Sequence, residues 1–107
     1  MEYYIIGERE LVLGFGLAGV RGTIAANRDE ALEAFFHATG SGKLPLVERP
    51  KVLIVTETVG VMLEDEILDW QRRSTYPLIV EIPGLHGHLE GKKTLTDSIR
   101  EAIGIRV

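Results

Sequence analysis

Short apolar runs alternate along this chain with segments in which apolar residues recur every three or four positions. The runs predict β-strands, and the periodic segments predict amphipathic helices that bury one side. The predicted strands are residues 3–6, 22–26, 51–56 and 76–83. The predicted helices are residues 8–19, 27–38 and 58–72. Strands and helices therefore alternate over the first 83 residues.

Local signals support the second and third helices. Asn27 stands where an N-cap would open the second helix, and Glu30 follows at the spacing of a capping box. Thr58 or a neighbour is expected to cap the third helix. The residues expected on the buried sides are Leu32, Phe35 and Phe36 in the second helix and Leu63, Ile67 and Trp70 in the third.

The alternation of strands and helices predicts the fold class. Short connections between them are typical of right-handed crossovers and a parallel sheet. Residues 51–56 form the most apolar run, which suits a central strand covered on both faces. For residues 1–83 we expect an α/β fold, a small open four-stranded parallel sheet in the order 2-1-3-4 with flanking helices.

The character of the chain changes at residue 84. Residues 84–91 contain three glycines without a regular period, which is typical of a flexible linker. Thr94 and Asp97 then fit a capping box that opens a C-terminal helix. Its apolar stripe consists of Leu95, Ile99, Ala102 and Ile103. Such a short helix is unstable alone in water, so the unit 84–107 is expected to dock this helix on its own sheet or on another protein.

The amino-acid composition excludes several classes of protein function. A chain of 107 residues with 45% apolar residues is expected to form one globular domain. It has no cysteine, which excludes disulfides and thiolate chemistry, and its net charge of −4 disfavours nonspecific nucleic-acid binding. No apolar run approaches the roughly 18 residues of a membrane span, and no secretory signal is evident. We expect an intracellular protein without membrane insertion, with its carboxylates on helix surfaces.

Three glycines match the spacing of a dinucleotide-binding motif, G-x-G-x-x-G, at Gly14, Gly16 and Gly19. That motif must follow the first strand directly, whereas residues 7–13 intervene here, with Glu8 and Glu10 repelling an anion. We therefore place the glycines in the first helix, where two interior glycines cost about 2 kcal/mol. Close packing of the helix on its own sheet is the favoured explanation, and a smooth surface for a partner protein is the alternative.

Other candidate sites are incomplete. Residues 40–43 lack the first glycine and the hydroxyl residue of a phosphate loop. The fold resembles response-regulator receiver domains, but Glu57 follows the third strand where those need an Asp. His86, His88 and Glu90 would be half a metal site on a linker that fixes no geometry. We predict no catalytic residue, no cofactor and no metal.

Four segments, taken in order, resemble the F subunit of the V-type and A-type rotary ATPases. Residues 14–20 are similar to the family signature G-F-x-L-A-G-[IV], and residues 54–57 to its third strand. Residues 78–83 resemble its fourth strand, and residues 99–105 its A-x-G-I tail. Glu8 departs from the frequent Asp, and the loop 40–50 is somewhat long.

This resemblance implies a non-catalytic central-stalk protein that binds the coiled-coil D subunit of the rotary ATPase. It also implies that the C-terminal helix reaches the A and B subunits of the catalytic head, and that the protein couples or regulates ATP turnover and ion transport. The location would be cytoplasmic, peripheral to the membrane within the complex. The residues predicted at partner interfaces are Phe15, Leu17, Leu95, Ile99, Arg100 and Ile103. A free-standing receiver-like or nucleotide-binding domain is the alternative.

Overall fold

The computed structural model describes residues 2–40, 49–73 and 77–84 and has a four-stranded parallel sheet at its centre. The strands are β1 (Tyr3–Gly7), β2 (Arg21–Ile24), β3 (Val52–Thr56) and β4 (Leu78–Ile82). They pair in the order β2-β1-β3-β4, and every pairing is parallel. The predicted fold class and strand order are confirmed.

Within the described ranges, four helices connect the strands. They are α1 (Arg9–Leu17), α2 (Arg28–Thr39), α3 (Glu57–Met62) and α4 (Glu64–Arg73). Helix α1 packs on β1 and β2, while α4 packs on β4. Because successive strand residues point to opposite sides, the sheet has an α1 face and a second face, which we call the α2 face.

The main hydrophobic core lies on the α2 face. Leu53 and Val55 of β3 are fully buried there, beside Ile6 of β1. The helices supply the other side of the core through Ala31, Ala34, Phe35, Ala38, Val59, Leu63 and Trp70. The indole nitrogen of Trp70 donates a hydrogen bond of 3.1 Å to the Pro77 carbonyl. Trp70 is thus a core residue, as its position in the helical repeat predicts.

Helix α2 begins where the capping pattern predicts. The Asn27 side chain accepts a 2.9 Å hydrogen bond from the Glu30 amide. The Glu30 carboxylate in return accepts one of 2.8 Å from the Ala26 amide. Gly40 ends the helix with φ of 78°, a left-handed conformation that glycine adopts without strain.

The prediction of a single third helix is wrong. Helices α3 and α4 are separate because Leu63, with φ of −116° and ψ of 24°, leaves the helical conformation. This turn keeps Leu63 fully buried while α4 still brings Trp70 to the core. The N-cap is Thr56, whose hydroxyl accepts a hydrogen bond from the Val59 amide.

Two burial predictions are also wrong. Phe36 is 43% exposed, because Phe35, Ala34 and Ala38 already fill the sheet side of α2. Glu57 is only 2% exposed, since it occupies the first turn of α3 directly after the central strand β3. The expectation that the carboxylates lie on helix surfaces therefore fails at Glu57.

The linker and C-terminal helix predicted within 84–107 lie outside the described residues beyond Gly84, so that division of the chain stays a prediction. Among the described helices, none has the length and apolar character needed to cross a membrane.

Arg28 joins the start of α2 to the region between α3 and α4. Its Nη2 lies 2.7 Å from Glu66 Oε2, its Nη1 lies 3.1 Å from Glu66 Oε1, and Nη1 also donates to the Met62 carbonyl. The hydrogen bond from Arg28 lowers the pKa of Glu66 below its ordinary value and raises the pKa of Arg28. Arg28 is exposed and Glu66 is only partly buried, which limits the contribution of the pair to stability.

Glu66→Gln is expected to lower stability slightly at neutral pH. Because the folded-state pKa of Glu66 is depressed, its contribution is complete above the unfolded pKa of about 4.3. The contribution is lost as the pH falls through the lower folded pKa. Urea denaturation at pH 7 should therefore give a lower free energy of unfolding for the variant than for the wild type, and this difference should shrink as the pH falls below the unfolded pKa. Glu33→Gln on the exposed side of α2 is the control, and a difference that does not shrink in acid would contradict the argument.

Candidate functional site

Helix α1 presents apolar side chains to the solvent. Its buried residue is Val12, which faces the sheet, while Leu11 and Phe15 are half-buried. On the other side, Leu13 is 54% exposed and Leu17 is 93% exposed. A helix turns about 100° per residue, so Leu13, Gly14 and Leu17 share one side. We call these three residues the outer face of α1.

The glycines of α1 do not serve close packing within the described part of the chain. A Cβ built at Gly14 or at Gly16 would meet no atom within 4 Å. The favoured explanation, close packing of α1 on its own sheet, is therefore wrong for both. What remains is the alternative, a smooth helix surface that a partner could approach closely.

The G-x-G-x-x-G spacing does not form a phosphate-binding turn. Gly14 and Gly16 lie inside α1, and Gly19 follows the helix with φ of 88°. The residue at the N-terminus of α1 is Glu8, whose carboxylate accepts a 3.2 Å hydrogen bond from the Thr56 hydroxyl. A helix N-terminus attracts phosphate through its free amides, but here a carboxylate stands beside them.

Among the described residues, the carboxyl end of β3 has no aspartate of the kind that receiver domains phosphorylate. Thr56 ends β3, and the next residue, Glu57, is buried in the first turn of α3. The described ranges contain no group of three His, Asp or Glu side chains able to hold a metal ion. The pair His86 and His88 lies outside these ranges.

An open cleft of about 410 Å³ lies beside the end of α1 at the amino edge of the sheet. It is lined by Glu2, Tyr3, Gly19, Val20 and Arg21. Glu2 is engaged by Lys51, with 3.0 Å between carboxylate and ammonium. The cleft thus offers few convergent polar groups of the kind that orient a small ligand.

Comparison with known proteins identifies the family. Residues 4–103 match the family described as ATP synthase (F/14-kDa) subunit. The chain belongs to this family. The match covers the sheet from Tyr4 onward, the outer face of α1 and most of residues 84–107. It confirms the resemblance to the F subunit of the V-type and A-type ATPases.

Full-length relatives agree with this assignment. The chain is 33% identical over 105 residues to the A-type ATP synthase F subunit of Methanothermobacter thermautotrophicus, covering 96% of this chain and 92% of the relative. It is 31% identical over 106 residues to that of Methanocaldococcus jannaschii, covering 98% and 97%. The corresponding protein of Pyrococcus furiosus is 31% identical over 111 residues, covering 100% and 98%.

As a member of the ATP synthase F-subunit family, the protein is part of an A/V-type ATPase complex, which carries out ATP synthesis and ion transport.

Two of the predicted interface residues lie on α1. Leu17 lies on its outer face, whereas Phe15 is half-buried about 200° around the helix. Sequence reasoning missed Leu13, which is four residues before Leu17 and shares its side.

The remaining predicted interface residues of this ATPase component, namely Leu95, Ile99, Arg100 and Ile103, lie outside the described residues. Their role at an interface stays a prediction.

Proposed function

We propose that this protein is a non-catalytic component of the central stalk that binds the coiled-coil D subunit of the ATPase and rotates with it. Family membership over nearly the full length supports a place in the complex. The outer face of α1 supports a partner of helical form, since its leucines are exposed and a Cβ at its glycine would meet no atom of the described residues. ATP would then be made or hydrolysed on other subunits.

The outer face of α1 is suited to contact with another helix. Packed helices lie about 8–10 Å apart, and a glycine at the crossing point allows the shorter distances. Leu13 and Leu17 flank Gly14 and would supply apolar contact area on either side. This arrangement also accounts for the retention of a residue that costs about 1 kcal/mol in a helix interior.

The C-terminal segment is proposed to regulate the complex. The predicted stripe Leu95, Ile99 and Ile103 would contact the D subunit or the catalytic A and B subunits, with Arg100 beside it. A helix with two resting positions that differ by a few kcal/mol would favour one rotor state over another. The protein would lie at the cytoplasmic side of the membrane as a peripheral part of the complex.

The direct test mixes the purified protein with the purified D subunit. Sizing chromatography should give a one-to-one complex that elutes before either component. Absence of a complex would contradict the proposal. A thermal-shift screen with nucleotides and acetyl phosphate tests the free-standing ligand-binding alternative, and a clear rise in melting temperature would support that alternative instead.

Gly14→Ala should stabilise the free protein and weaken its complex. The new methyl group meets no atom of the described chain, so the free energy of unfolding should rise by about 1 kcal/mol. The same methyl group would keep the partner helix away, and we expect roughly tenfold weaker binding, which corresponds to about 1.4 kcal/mol. Urea denaturation and titration calorimetry measure the two effects.

Gln71→Ala on the exposed side of α4 is the control and should leave binding to the D subunit unchanged. If the Gly14→Ala variant is more stable than the wild type but binds the D subunit as tightly, Gly14 does not lie in the contact with the D subunit.

A further inference from the structure

Glu8 carries a buried carboxylate oxygen that no described residue engages. Its Oε1 accepts a 3.2 Å hydrogen bond from the Thr56 hydroxyl, whereas its Oε2 is buried and has no hydrogen-bond partner. Buried carboxylate oxygens normally accept a hydrogen bond or bind a cation, because desolvation without a partner is costly. Glu8 Oε2 therefore needs a hydrogen-bond donor or a cation from outside the described ranges.

No described base neutralises the Glu8 carboxylate. Each ion pair within the described ranges involves another acid. The neighbouring Arg9 is exposed, and adjacent residues of a helix do not face each other. Glu8 is the N-cap residue of α1, yet its side chain makes no capping hydrogen bond. Its Oε2 is thus available to a cation.

Thr56 holds the Glu8 carboxylate in one orientation. Thr56 is fully buried, and its hydroxyl also accepts the hydrogen bond from the Val59 amide at the start of α3. A Cβ built at Gly7 would lie 2.5 Å from Thr56 Cγ2, so a side chain at position 7 would displace Thr56. Carboxylates that bind metals are typically oriented by hydrogen bonds from surrounding groups. Glu8 has this kind of support.

We propose that Glu8 Oε2 binds one Zn²⁺ together with the imidazoles of His86 and His88. The described chain reaches Gly84 beside Glu8, where a Cβ built at Gly84 would lie 3.7 Å from Glu8 Oε1. His86 follows two residues later, which is at most about 7 Å of extended chain. Both histidines are therefore within reach of the free carboxylate oxygen. The proposal does not depend on binding to the D subunit.

The three ligands match the chemistry of zinc. Zn²⁺ binds imidazole nitrogen and carboxylate oxygen, and two histidines with one glutamate leave a fourth position for water. In an extended segment, residues two apart lie on the same side, so the spacing of His86 and His88 would direct both rings to one ion. Mg²⁺ and Ca²⁺ prefer oxygen ligands and do not suit this set.

The sheet supplies the rigid ligand that the histidine pair needs. Residues 84–91 are rich in glycine, and a segment of that composition does not by itself hold ligands in a fixed arrangement. Glu8 lies at the junction of β1 and α1, where the sheet fixes its backbone. Bound Zn²⁺ would tie the start of the unit 84–107 to the carboxyl edge of the sheet.

Titration calorimetry with ZnCl₂ on the full, untagged chain tests the proposal. The wild type should bind one Zn²⁺ per chain, and MgCl₂ at the same concentrations should show no binding. Glu8→Gln and His86→Ala should each weaken zinc binding at least tenfold. Thr56→Val should weaken it too, because loss of a group that orients a metal ligand typically costs about 10–100-fold in affinity.

Glu10→Gln and His37→Ala are the matched controls and should bind zinc as the wild type does. Glu10 is an exposed acid in the first turn of α1, and His37 is an exposed histidine in the last turn of α2. If Glu8→Gln and the controls change the affinity equally, the site holds an adventitious ion only and the proposal is overturned. Absence of zinc binding to the wild type would also overturn it.

X-ray absorption at the zinc edge identifies the ligands without any variant. The wild type with one equivalent of Zn²⁺ should show two imidazole nitrogens at about 2.0–2.1 Å from the metal. A spectrum with one imidazole or none would overturn the proposal.

Discussion

Gly22→Ala is expected to destabilise the protein by about 2–3 kcal/mol, the upper range for overpacking a core. Gly22 lies in β2, opposite Ile5 of the central strand β1. A Cβ at this position would lie 2.5 Å from Ile5 Cγ2 and 2.6 Å from the Ile5 carbonyl oxygen, with Val12 Cγ1 at 3.1 Å. The backbone oxygen cannot turn aside, so β2 would have to move away from β1. Urea denaturation gives the change in the free energy of unfolding.

The matched comparison for Gly22→Ala is Gly14→Ala, the same change eight residues earlier. A Cβ at Gly14 would meet no atom of the part of the chain that the structure describes, so that variant should be more stable than the wild type. If the free energy of unfolding falls in Gly22→Ala and rises in Gly14→Ala, the two glycines have different roles. Gly22 then permits close packing inside the fold, and Gly14 lies on its surface. Similar effects at both sites would contradict this distinction.

Leu17→Asp is expected to weaken binding to the D subunit at least 30-fold while leaving the fold intact. The side chain is 93% exposed, so the free energy of unfolding should change by less than about 0.5 kcal/mol. In the complex the carboxylate would be buried against an apolar helix without a partner. Loss of a central apolar contact typically costs about 2 kcal/mol or more, which corresponds to that change in affinity.

Leu68→Asp is the matched control for Leu17→Asp. Leu68 is also an exposed leucine on a helix, but α4 lies on the other side of the sheet. Titration calorimetry with the D subunit should give wild-type affinity for this control. Equal weakening by both substitutions would indicate a general effect of added negative charge, and no weakening by Leu17→Asp would exclude the outer face of α1 as the contact.

Much of the fold follows from local sequence signals. The strand order rests on four apolar runs separated by helical segments, and each run became a strand within two residues of its predicted ends. The start of α2 rests on Asn27 and Glu30, whose hydrogen bonds span only three or four residues. Both partners of such an interaction lie close together in the sequence, so the interaction can be predicted without the tertiary structure.

The failures concern contacts between distant parts of the chain. The break at Leu63 depends on a core formed with strands elsewhere in the sequence, and the helical repeat does not reveal it. Phe35 and Phe36 are equally apolar, and only the direction from which α2 meets the sheet decides which one is buried.

The candidate interface on α1 could also be predicted only in part from the sequence. The motif indicated α1 and its glycines, but only the structure shows that no other described residue packs against Gly14. Leu13 was missed because its exposure depends on how α1 is rotated on the sheet. The exposure of Leu78 and Val80 was missed because an apolar strand gives no indication of whether both of its faces are covered.

The proposed contact between the outer face of α1 and the coiled coil of the D subunit can be observed by amide hydrogen exchange. Exchange is measured on the free protein and on its complex with the D subunit. We expect slower exchange across Arg9–Leu17 in the complex and unchanged exchange across Glu64–Arg73. Failure to form the complex, or a complex in which exchange across Arg9–Leu17 is unchanged, would contradict the proposed contact.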